Sequence, residues 1–73
     1  MLTVYSKMGC VACEQAKNLL LQKEIEFEVK TVDEDWDAWD FIVSEGHRSF
    51  PQIYKGKQLY VQGGFKGLQE MFK

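Results

Sequence analysis

An α/β domain of order βαβαββα, with a mixed four-stranded sheet flanked by three helices, is the fold class this 73-residue sequence predicts. Three observations lead there. Apolar residues switch between a spacing of two and a spacing near 3.6 along the chain, the periods of a strand and a helix. A strand, a helix and a strand in succession favour parallel pairing with a right-handed crossover. Lys55-Gly56, set between two short apolar runs, offers a two-residue hairpin turn that adds two antiparallel strands. At this length folding buries roughly 60% of the surface of the unfolded chain, enough for one modest core, so residues 1–73 are expected to form a single domain.

Each element follows from its residues. Leu2 to Tyr5 is rich in strand formers, and Ser6-Lys7-Met8-Gly9 after it reads as a loop. From Cys10 onward Cys13, Ala16 and Leu20 fall at i, i+3 and i+7, which predicts a helix starting at the first cysteine. Glu26 to Val32 alternates, with Phe27 and Val29 inward, as a half-buried strand does. Asp33-Glu34-Asp35 supplies a capping carboxylate, and Trp36, Trp39 and Val43 recur at helical spacing, with Phe41 and Ile42 widening the apolar face and Gly46 ending the helix. The two tryptophans share one helical face that could serve as a binding surface, but core packing or partial burial is expected for them. After Pro51, Ile53-Tyr54 and Gln58 to Val61 form the hairpin strands. Gly63-Gly64 breaks the last strand, and Phe65, Leu68 and Phe72 repeat in a short terminal helix.

Composition narrows the function. Apolar residues are 45% and charged residues 27%, ordinary for a globular chain. Nothing approaches the roughly 18 apolar residues of a membrane span, and no signal peptide opens the chain, so a cytoplasmic protein is expected. Residues 1–45 carry a net charge of −6 and residues 46–73 a net +4. The acidic total argues against nucleic-acid binding, while the basic C-terminal third suits a small anion. The carboxylates from Asp33 to Asp40 lack calcium-loop spacing.

Cys10 and Cys13 are the only cysteines, and their loop is too short to staple a fold. They are present for chemistry or for a metal. A closed zinc site wants four ligands, and the chain adds only the distant His47 and carboxylates, which favours redox chemistry. At a helix start the unpartnered N–H groups and the dipole favour a thiolate at Cys10, so a lowered thiol pKa is expected there. Cys13 shares the apolar face with Ala16 and Leu20 and points inward. Cys10 is then the nucleophile and Cys13 the resolving thiol of a thiol–disulfide exchange that needs no tightly bound cofactor.

Three separated motifs resemble the glutaredoxin family of the thioredoxin-like superfamily: Lys7-Met8-Gly9-Cys10-Val11-Ala12-Cys13, Gly46-His47-Arg48-Ser49-Phe50-Pro51-Gln52-Ile53, and Gly63-Gly64-Phe65 followed by Leu68. The short length and the terminal motif look most like small phage-type dithiol glutaredoxins, and host cytoplasm is the expected location if the source is viral. The resemblance implies reduction of protein disulfides, with ribonucleotide reductase as a client, and of glutathione mixed disulfides, with glutathione as reductant. It implies a monomer without nucleic-acid or membrane partners.

The resemblance also assigns residues. It implies a cis bond before Pro51 and a Phe50 backbone that pairs with the bound peptide. It places Lys7 beside a carboxylate of glutathione and the Gly63-Gly64 backbone beside the γ-glutamyl carboxylate. Gln52 is either a further ligand contact or an exposed strand residue. His47 and Arg48 read as solubilising surface, with Arg48, Lys7 and Lys66 able to attract an anion. Two features depart from the pattern: Val11-Ala12 stands where many glutaredoxins have Pro-Tyr, and Phe65-Lys66 where many have a polar or acidic residue. The Cys-Val-x-Cys centre and the Gly-Phe-basic segment are also similar to NrdH-type redoxins, which take electrons from thioredoxin reductase. A further alternative implied by the family is a glutathione-assisted iron–sulfur cluster carrier.

Overall fold

The computed structural model describes residues 1–73. Its elements are β1 (Leu2–Ser6), α1 (Val11–Gln22), β2 (Phe27–Thr31), α2 (Trp36–Ser44), β3 (Gln52–Lys55), β4 (Gln58–Val61) and α3 (Gly64–Met71). The order matches the expectation, and the sheet runs β2-β1-β3-β4. β1 and β2 are parallel, from Leu2 opposite Phe27 to Ser6 opposite Thr31, while β3 is antiparallel to β1 and to β4.

β1 is central and buried along its whole length, because helices cover both faces of the sheet. Alternation along the strand sends Leu2 and Val4 to one face and Tyr5 to the other. On the first face Leu2, Val4 and Ile53 pack with Ala16 and Leu20 of α1 and Leu68 of α3. On the second, Tyr5 and Tyr54 pack with Val32 and with Ala38 and Ile42 of α2, and Phe41 stacks on Tyr5 at 5.3 Å between ring centroids.

Two sequence expectations fail here. Trp36 and Trp39 do not enter the core: they are 79% and 44% exposed, and Val43 is 51% exposed. With about 100° between successive helical residues, a face centred on Ala38 and Ile42 turns Trp39, Val43 and Trp36 progressively toward solvent. Ala38 and Ile42 are the residues of α2 that pack with the two buried tyrosines. Val29 is 40% exposed because β2 is the outer strand of the sheet, although Phe27 two residues earlier packs against the core.

The terminal helix is placed by glycine. A Cβ at Gly67 would collide with the carbonyl oxygen of Gln62, so α3 lies against the end of β4 more closely than any other residue permits. That close seat brings the start of α3 to the Pro51 turn, where a Cβ on Gly64 would stand 3.0 Å from the Pro51 carbonyl oxygen.

Candidate redox site around Cys10 and Cys13

Cys10 is the N-cap of α1, with extended backbone angles (φ −101°, ψ 105°), and its Sγ accepts the N–H of Cys13 at 3.1 Å. A sulfur in this position fills the capping role that Ser or Asp normally takes, and the same N–H would stabilise a thiolate after reduction. Cys10 and Cys13 are joined in a disulfide. Cys13 is fully buried beside Ala16 and Leu20, whereas Cys10 is partly exposed. An incoming sulfur therefore reaches Cys10 first.

The Phe50–Pro51 bond is cis, as the family resemblance implies. The Phe50 carbonyl oxygen lies 3.9 Å from Cys10 Sγ. Lys7 Nζ stands over the Phe50 ring, 5.9 Å from its centroid, at the upper range of a cation–π contact. Gly63 (φ +89°) caps α3 in the left-handed region, and Gly64 adjoins Pro51. The seven expected site residues thus fall into a chain of neighbours: the two cysteines, Phe50 with Lys7 above it, Pro51, and the diglycine behind it.

Three supports rest on side-chain partnerships that the motifs do not record. Met8 N–H donates to Asp33 Oδ2 at 2.6 Å, tying the loop before Cys10 to the end of β2. Its signal is in the pairing register, since the offset of 25 that sets Leu2 opposite Phe27 also sets Met8 opposite Asp33. Gln52 is not an exposed strand residue. It is buried, and its Nε2 donates to the Ser49 carbonyl at 2.8 Å and to Ser49 Oγ at 3.3 Å, which fixes the turn that carries Phe50. His47, read as surface, instead donates from Nε2 to the Tyr54 hydroxyl at 2.7 Å, and that hydroxyl donates to Glu45 Oε1 at 3.1 Å. Burial of the Tyr54 ring, helped by the Glu45 carboxylate, pushes its phenol up to about 12. Both His47 and Gln52 stand in the second motif, yet neither role was readable there, because their partners are set by the loop geometry.

A Cys-x-x-Cys at a helix start beside a cis-proline turn is also found among known proteins. The family model described as Glutaredoxin matches residues 2–60. The chain belongs to the glutaredoxin family. It is 36% identical over 55 residues to the glutaredoxin-like protein NrdH of Lactococcus lactis subsp. lactis, covering 75% of this chain and 76% of that one. The solved structure of the glutaredoxin-like protein NrdH-redoxin from Escherichia coli matches with a TM-score of 0.76 at 26% identity, over 88% of this chain and 82% of that one. The thioredoxin-like protein BC3987 superimposes over 97% of this chain and 99% of its own with a TM-score of 0.79 at 19% identity, a likeness of fold alone. This glutaredoxin-family chain is therefore a glutaredoxin-like thiol–disulfide oxidoreductase of thioredoxin-like fold. A second curated relative, the glutaredoxin-like protein NrdH of Salmonella typhimurium, is 33% identical over 55 residues, covering 75% of this chain and 68% of that one. No helix is long and apolar enough to cross a membrane.

Proposed function

We propose that this protein is an NrdH-like dithiol redoxin, recharged by thioredoxin reductase and delivering two electrons to a disulfide of a protein client, with ribonucleotide reductase as the client the family resemblance implies. The observation that carries this reading is the first turn of α3, Gly64-Phe65-Lys66-Gly67, which contains no acidic residue and presents the Lys66 ammonium. A glutathione bound with its γ-glutamyl end at this helix start would bring a cationic amino group to a cation. Like charges at such a contact disfavour binding. The exposed Val11, with no aromatic ring between the cysteines, adds nothing for glutathione to stack on.

The reduced protein works through its own two sulfurs. The Cys10 thiolate attacks one sulfur of the client disulfide; the S–S bond breaks, a mixed disulfide forms, and the leaving thiolate takes up a proton. The Cys13 thiolate, formed by loss of its proton, then attacks Cys10 Sγ and releases the second client thiol. The client gains two electrons and two protons, and the protein is left as the Cys10–Cys13 disulfide seen in the structure.

The test supplies NADPH with either thioredoxin reductase or glutathione plus its reductase, using an insulin disulfide as acceptor. Thioredoxin reductase is expected to sustain turnover at least about tenfold faster, since one misplaced charge is worth about 1.4 kcal/mol or more in a desolvated contact. Equal or faster turnover with glutathione would overturn the assignment. Cys10→Ser is expected to abolish the reaction, and Cys13→Ser to stop it at the mixed disulfide.

A further inference from the structure

The outward turn of Trp39 leaves a groove of about 440 Å³ between α2 and the turn before Pro51. Trp39 and Val43 form one wall, Phe50 the other, and His47 and Arg48 the rim. Phe50 links the groove to the reacting sulfur, because its carbonyl oxygen lies 3.9 Å from Cys10 Sγ and the residue also lines the cavity. A substrate segment whose cysteine meets Cys10 has its flanking residues over this groove. The wall is not loose: His47 is held by the buried Tyr54 hydroxyl, and the Phe50 turn by Gln52.

Charge selects the occupant. No carboxylate lines the groove, and Arg48 is exposed at its rim with Lys7 over Phe50. The hollow on the other side of Trp39 is the reverse, lined by Asp33, Glu34 and Asp35. Trp39 thus divides a cationic compartment next to the disulfide from an anionic one beyond it. An aromatic wall with an arginine beside it is the composition that concentrates binding energy at protein interfaces.

We propose that this groove docks the client segment flanking the target disulfide, and that it selects an acidic segment carrying one bulky apolar side chain within a few residues of the reacting cysteine. The apolar side chain lies between Trp39 and Phe50, and the carboxylate faces Arg48. The proposal rests on the dithiol redox reading and adds to it the chemistry of the partner.

The experiment measures single-turnover oxidation of the reduced full chain, by acid quench and separation of the thiol and disulfide forms. The acceptors are hydroxyethyl disulfide and three peptides with an internal disulfide: one with flanking Asp and Leu, one with Lys and Leu, one with Asp and Gly. The Asp-Leu peptide is expected to react about tenfold faster than either of the other two, and its advantage over hydroxyethyl disulfide to fall about tenfold in Trp39→Ala. Arg48→Glu is expected to reverse the preference between the Asp-Leu and Lys-Leu peptides. Higher salt should compress that preference, as screening of a rim charge requires. Equal rates for the three peptides, or a preference that survives both substitutions, would overturn the docking proposal while leaving the redox reading intact. Failure to oxidise with hydroxyethyl disulfide as well would refute the redox reading itself, and the docking proposal with it.

Discussion

Replacing Gly67 by alanine sets two physical effects against each other. Gly67 is in α3 and outside the left-handed region, so helix propensity alone predicts that alanine stabilises, by about 1 kcal/mol. The structure predicts the opposite. The added Cβ would collide with the Gln62 carbonyl and stand 3.1 Å from Val61 Cγ2, and the carbonyl belongs to backbone at the end of β4 that no rotamer change can withdraw. Overpacking of this kind costs about 1–3 kcal/mol, and an immovable backbone partner puts it at the upper end. The net expectation is a loss of about 2 kcal/mol, or a melting temperature lower by about 8–16 °C in a domain of this size. Urea unfolding of the oxidised protein measures it, with the midpoint falling at an unchanged slope. An unchanged or raised midpoint would refute the close seat of α3 on β4, and with it the account of how Gly64 is brought to Pro51.

Three further expectations test the supports of the site. Gln52→Leu removes both bonds to Ser49, which should cost about 0.5–1.5 kcal/mol in urea unfolding and slow single-turnover reduction; an unchanged rate would show that the turn holds itself. Tyr54 has its native pKa raised to about 12 against an unfolded value near 10, so this contribution is full below about pH 10 and is lost as pH rises through about 12, because the unfolded state sheds its proton first. The fall should amount to about 2–3 kcal/mol, and Tyr54→Phe should flatten it; parallel alkaline slopes for the two proteins would contradict the assignment. Asp33→Ala frees the Met8 N–H, whose hydrogen exchange should speed up about tenfold, with a changed pH profile of Cys10 alkylation in the reduced protein; an amide that exchanges as before would deny the tether.

The sequence shows the seven elements because each is short, amphipathic and bounded by a turn residue, so its period is local information. The inward Cys13 is read the same way, from its place with Ala16 and Leu20. What it does not show is rotation and register. Trp36, Trp39 and Val43 form as regular a helical stripe as Ala38 and Ile42 do, and only the room beside Tyr5 and Tyr54 decides which stripe faces the sheet. Asp33 is one of several adjacent carboxylates until the parallel pairing of β1 and β2 brings Met8 to it, leaving Asp35 to cap α2 through the Ala38 N–H. The need for glycine at position 67 arises from a contact with another element, which no local pattern records.

The contacts around the disulfide separate what a family shares from what a member selects. Cys13 turns its N–H and Phe50 its carbonyl toward Cys10 Sγ, and Gly64 lies against Pro51, so the surroundings of the sulfur are built largely from backbone groups. Their positions depend on Asp33, Gln52 and Gly67, none of which touches the sulfurs. The side chains left facing a partner are others: Val11 between the cysteines, Lys66 at the start of α3, and Trp39 with Arg48 along the groove. Exchange of these residues would leave the dithiol reaction intact and change its reductant and client. In the reading proposed above the donor is decided by Val11 and Lys66 and the client by Trp39 and Arg48, so substitutions in one pair should alter one half of the cycle and spare the other.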